Sequence, residues 1–142
     1  MDKLCSTKDD VVVCVNAGVF GSESAFHERL SDLGVRYLNV LSNKHFHKKQ
    51  KAVQWIKNEQ CFFYREPEKV EKREAYRSRV VRTLRERAKP GTIVAVIAAE
   101  ETGVRLAEEL ADAFGVDGND PKTTDLRRNK FCAQRALEDA GM

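Results

Sequence analysis

Apolar positions in this chain follow two alternating rhythms, and the alternation predicts an architecture. Val11-Val12-Val13-Cys14-Val15 is a continuous, mostly β-branched run. Strands covered on both faces read this way, as in a parallel sheet lying between helices. Residues 35–41 and 92–98 repeat the pattern, the second most strongly, and residues 61–64 form a shorter run of the same kind. Between these runs the spacing becomes helical. Ser22 is the predicted N-cap of a helix ending at Leu33, with Phe26, Leu30 and Leu33 on one face and Gly34 as its stop. Residues 46–58 read as a helix burying Val53 and Ile56. In a longer helix over 68–88, Tyr76, Val80, Leu84 and Ala88 step by fours, with Val81 beside them. Lys89-Pro90-Gly91 breaks it, since proline cannot continue a helix. After the strand at 92–98 a helix turns Val104, Ala107, Leu110, Ala111 and Phe114 inward and ends at Gly115. The loop over 116–121 is rich in turn residues, and a last helix runs from about Thr124 to Gly141.

Strands alternating with helices predict an α/β fold: a parallel sheet of about four strands with right-handed crossovers. Ligands of such sheets bind outside the carboxyl ends of the strands. Two predicted loops lie there, over residues 16–22 and 99–103. The first holds Gly18 and Gly21 just before Ser22 and the helix start, where free backbone N–H groups suit an anion. It has neither the G-x-G-x-x-G spacing nor the lysine of a P-loop, so a plain strand-to-helix turn explains it equally well. The second holds Glu100 and Glu101. Acidic residues at a helix start are favourable through the dipole alone, while a carboxylate at this edge is also placed to accept a substrate amine. Lys130 falls with Leu126, Ala133 and Leu137 on one predicted stripe of the last helix. A lysine there usually snorkels to water, yet it is also placed to meet a phosphate as a point charge.

Composition changes this picture little. The chain of 142 residues is 42% hydrophobic and 33% charged with a net charge of +3, which fits one globular domain. No apolar run reaches the roughly 20 residues of a membrane span, and the first ten residues hold no apolar signal core, so a cytoplasmic location is expected. Cysteines at 5, 14, 61 and 132 show no paired spacing and read as reduced thiols. His45 and His47 with Cys61 lack a fourth ligand, so no metal site is expected. The basic cluster from Lys44 to Lys51 and the arginine-rich stretch over 77–89 read first as solvated faces rather than binding grooves, and a nucleic-acid partner is disfavoured.

The C-terminal third is more specific. The strand running into Glu100-Glu101-Thr102-Gly103-Val104, then Phe114-Gly115-Val116, Gly118-Asn119-Asp120-Pro121 and Arg127-Arg128-Asn129-Lys130 together resemble, in order and spacing, the N-terminal domain of ATP-grasp ligases. Amino-acid ligases and biotin-carboxylase-like members are the most similar subgroup. The resemblance implies a Rossmann-like preATP-grasp domain over 1–123 and a linking helix over 124–142 leading into a missing ATP-grasp domain. It implies an ATP-dependent carboxylate–amine or carboxylate–thiol ligase acting through an acyl phosphate, on a small carboxylate or amino-acid substrate. ATP and Mg2+ would serve the complete enzyme, with none bound by this chain alone, and the ATP-grasp domain would act in cis or in trans. Lys130 matches the family's phosphate-contacting lysine. Glu101 and Thr102 match the substrate side, and Gly18, Gly21 and Ser22 match the first loop loosely; no catalytic residue is implied. Ala99, Glu100, Asp117 and Asn129 depart from the family pattern, and the region over 44–64 has no counterpart in it. A non-catalytic binding module on the same fold is the alternative.

Overall fold

The computed structural model describes residues 9–17, 23–42 and 61–142. The β-branched runs become β1 (Asp10–Val15), β2 (Arg36–Leu41) and β4 (Thr92–Ala98), with a short β3 (Cys61–Phe63). They form a four-stranded sheet in the order β3-β2-β1-β4, and every pair is parallel. Helices complete a Rossmann-like α/β fold: α1 (Glu23–Asp32), α2 (Arg73–Ala88), α3 (Val104–Phe114), α4 (Thr124–Arg128) and α5 (Lys130–Asp139). No helix among the described residues is long and apolar enough to cross a membrane.

The alternation of side chains along β1 divides the core. Val11, Val13 and Val15 face the same way as Leu38, Val40 and Ile93, and pack against Val80 and Leu84 of α2 and Leu106 and Leu110 of α3. Val12 and Cys14 face the other way, beside Tyr37, with Leu30 of α1 and Val35 against them. This two-sided cover is what a continuous apolar strand requires. The pairing of β1 with β4 slips between Val11 and Val12: Ile93 stands opposite Val11, whereas Ala95 stands opposite Val12. Val94 is the extra residue of this bulge. The slip lets Ile93 and Val96 serve one core while Ala95 serves the other.

Tyr76, Val80, Leu84 and Ala88 are all buried on α2, as the spacing of four predicts. A 3-10 turn, Val70–Lys72, precedes that helix where one continuous helix is expected. Gly34 and Gly115 take positive φ angles of 68° and 66° at helix ends, the left-handed geometry glycine accepts without a Cβ clash. Leu33 does not join its predicted stripe; it lies past the end of α1 and is exposed. The predicted helix over 46–58, with Val53 and Ile56, and the basic cluster over 44–51 lie outside the described residues.

The last predicted helix divides in two. Asn129 is extended (φ −103°, ψ 109°), and its side-chain oxygen accepts from the N–H groups of Phe131 at 3.0 Å and Cys132 at 3.4 Å. An asparagine that caps new helical donors competes with continuation of the old helix. The packing stripe through Leu126, Lys130 and Leu137 is therefore not realised: all three are exposed.

Arg36 closes the far end of α2. Its guanidinium donates to the carbonyls of Arg87 and Ala88, each at 2.6 Å, and to that of Lys89 at 3.3 Å. Carbonyls of a last helical turn have no intrahelical donor, so one side chain from β2 serves three of them. Arg36→Ala is expected to lower stability by about 1 kcal/mol, the net worth of such bonds, and Arg36→Lys to recover part of it. Urea midpoints of the three proteins measure this; equal midpoints would remove the capping role.

Candidate functional site

Strands β1, β2 and β3 succeed one another to one side, whereas β4 joins β1 on the other. The connections therefore diverge between β1 and β4, at the switch point where open α/β sheets hold ligands. The residues just beyond those two strands meet there. Asn16 follows β1, is fully buried and has a positive φ of 58°, a conformation that asparagine tolerates better than most residues. Its backbone N–H still donates to Val40 at 2.8 Å, which continues the sheet. Its side-chain amide nitrogen donates to Ser42 Oγ at 3.0 Å and to Thr102 Oγ1 at 3.2 Å. Its side-chain oxygen accepts from Ser42 N at 2.8 Å. One amide thus ties together the carboxyl ends of β1 and β2 and the turn that follows β4.

Asn39, buried in the middle of β2, holds the next residue of the first loop. Its Nδ2 donates to Ala17 O at 2.6 Å and its Oδ1 accepts from Ala17 N at 3.2 Å. Both polar groups of a buried peptide are met by one side chain, as burial requires. The chain leaves the sheet at Ala17 in a fixed direction. Gly18, Gly21 and Ser22 lie outside the described residues.

On the β4 side, residues Glu101–Gly103 form a 3-10 turn leading into α3. Thr102 donates to Glu100 Oε2 at 3.3 Å while accepting from Asn16. Glu101 projects to solvent, and Arg128 holds it: Arg128 Nε lies 2.7 Å from Glu101 Oε1, and Nη2 donates to the Glu101 carbonyl at 3.1 Å. The guanidinium thereby links the end of α4 to the sheet edge. Arg105 of α3 makes a second link, to Asp125 of α4. Lys130 opens α5 two residues beyond Arg128; it is exposed and has no hydrogen-bond or ion-pair partner among the described residues.

The Gly118-Asn119-Asp120-Pro121 loop is fixed from below by Glu108, which is only 6% exposed. Thr124 Oγ1 and Arg127 Nη2 both donate to this carboxylate, as does Asn119 Nδ2 at 3.2 Å. Burial alone raises its pKa, but the hydrogen bonds from Thr124, Arg127 and Asn119 outweigh burial and hold it below the usual 4.5. Asp120 in turn accepts from Lys122 N at 2.9 Å and starts the next 3-10 turn. Cys14 and Cys61 stay protonated at neutral pH, because burial pushes both thiols up to about 12, so neither supplies a thiolate nucleophile. No group of three or more His, Cys, Asp or Glu side chains among the described residues is arranged to hold a metal ion.

Of the predicted site residues, Glu101 and Thr102 lie together in the turn after β4, whereas Lys130, two residues beyond the Arg128 that holds Glu101, is exposed. Glu101 is engaged by arginine instead of standing open to a substrate amine. The residues that organise the edge, Asn16, Asn39, Ser42 and Arg128, are not among those predicted. Asn39 carries a visible signal, being a polar residue in the centre of an apolar run. Comparison with family models, with characterised proteins and with solved structures finds no match to this chain.

Proposed function

We propose that this chain is the preATP-grasp domain of an ATP-dependent carboxylate–amine or carboxylate–thiol ligase, completed by an ATP-grasp domain in cis or in trans. One observation carries the reading. The helix that opens with Lys130 is tethered at the sheet's ligand edge through Arg128 and Glu101, yet it buries none of its own residues. Phe131 and Leu137 on that helix, and Met142 beyond it, are all exposed apolar side chains. A second domain packed around this helix would cover them and bring its nucleotide to Lys130. The cation then steadies phosphate oxygens without forming a bond to them. Small carboxylate or amino-acid substrate would approach the edge formed by Asn16, Thr102 and Glu101, with Mg2+ supplied from the ATP-grasp side. The same uncovered apolar side chains also suit the alternative, a non-catalytic module that docks a partner.

Lys130→Ala, measured in the complex with an ATP-grasp domain, is expected to weaken ATP binding about tenfold, or about 1.4 kcal/mol. Lys130→Arg, which keeps the charge, is expected to restore most of it. Equal affinity of all three proteins for ATP would overturn the assignment of Lys130. Failure of any ATP-grasp domain to complex with the chain would favour the alternative.

A further inference from the structure

Several cations of this fold are tied to carboxylates and others are not. Arg65, Arg73, Arg105, Arg127 and Arg128 each reach a carboxylate. Lys72, Arg79 and Arg82 make no ion pair with any described residue, and all three line a single groove of about 690 Å³ beside the start of α2. Arg65 also lines it, and the only carboxylate in the lining, Glu71, pairs with none of them. The stretch over 77–89 is thus more than a solvated face, because two of its arginines converge on a concavity.

The cations are also arranged. Arg79 lies over the ring of Tyr64, 5.4 Å from its centroid. That ring is itself held: its hydroxyl is 2.9 Å from Thr83 Oγ1, and its backbone carbonyl accepts from the Tyr76 hydroxyl at 2.7 Å. Stacking leaves the in-plane N–H donors of a guanidinium free to face an anion. Arg82 follows one turn later, about 4.5 Å further along the helix axis, which suits two arginines sharing one phosphate or holding adjacent ones. Lys72 extends the same face towards Arg65. Four cations against one lining carboxylate leave an excess of positive charge in the groove, which a bound anion offsets. The volume falls in the range of small-molecule sites, roughly 300–1,000 Å³, and Pro67, Ala75 and Tyr76 add apolar surface to the lining.

We propose that this groove binds a small molecule bearing two or more phosphate groups, held by Arg79 and Arg82 with Lys72 and Arg65 at its ends. The site is separate from the Asn16–Thr102 edge and independent of the ligase reading, and its test needs no second domain.

Inorganic tripolyphosphate is titrated calorimetrically into the full chain at fixed salt, alongside Arg79→Gln/Arg82→Gln, Lys72→Gln and a control, Arg135→Gln on α5. Glutamine matches arginine as a helix former and neither arginine is buried, so the double variant is expected to keep the parent circular dichroism. Affinity is expected to fall at least about tenfold in the double variant, since two charge-assisted bonds are lost. It should fall less in Lys72→Gln and stay unchanged in the control. No binding by the parent, or equal binding by the double variant, overturns the proposal. A single-stranded oligonucleotide that binds more tightly than tripolyphosphate and depends on the same arginines overturns the small-molecule assignment in favour of a nucleic acid.

Discussion

Glu108→Ala is expected to destabilise the protein by about 2–3 kcal/mol, because the change removes at once the shared acceptor of a hydroxyl, an amide and a charged donor, although the Thr124 hydroxyl keeps the Pro121 carbonyl at 2.8 Å. The carboxylate is the common acceptor of Thr124, Arg127 and Asn119, and Thr124 is itself only 2% exposed. Arg127 is about one-third exposed and regains water when the carboxylate goes, which keeps the loss below that of a wholly buried pair. The pH dependence has a definite sign. A carboxyl held below its usual 4.5 in the folded state binds its proton more readily when unfolded. Its stabilisation is therefore complete above that usual value and is lost as pH falls through the lower folded value. Chemical denaturation of the parent and of Glu108→Gln between pH 7 and pH 3 measures this. The parent should lose stability more steeply on acidification, and parallel curves would show that Glu108 does not carry the effect.

Gly103→Val is expected to cost about 2–3 kcal/mol by overpacking and to open the sheet edge. A Cβ at position 103 would stand 2.9 Å from the Val15 carbonyl oxygen and 3.0 Å from Val15 Cγ1. The first of these atoms belongs to the backbone of the central strand, which cannot swing aside. The turn after β4 must retreat instead, and with it Thr102, whose hydroxyl accepts from Asn16. A thermal melt gives the stability loss, and the side-chain amide resonance of Asn16 reports the broken link. A variant that melts like the parent with that resonance unmoved would show that the close approach is dispensable.

The parts of the fold legible in sequence were those where burial dictates residue type over several positions. Five consecutive valine and cysteine positions in β1 need cover on both faces, and the stepping of Tyr76, Val80, Leu84 and Ala88 admits one helical face; both appear as buried sets. Short polar side chains were less legible, because their partners depend on register between segments distant in sequence. Asn16 reaches Ser42 across 26 positions and Thr102 across 86, and no local pattern encodes those pairings. Asn129 was misjudged for a related reason: in sequence it suits a helix interior poorly but tolerably, and only its bonds to Phe131 and Cys132 show that it starts a new helix. Arg128 and Glu101, 27 positions apart, are a pairing of the same kind, which no local pattern marks.

The extra residue at Val94 has a meaning beyond core registry. Among the described residues β4 is one of the two outer strands, seven residues of TIVAVIA with Val94 and Ile97 showing apolar surface to water. A flat strand of that composition is a template on which a second molecule can add its own strand and so begin a fibre. The bulge bends and twists the ribbon at its second and third residues, and an incoming straight strand would lose register there. The irregularity that reconciles two cores is thus expected also to guard this edge of the sheet against self-assembly.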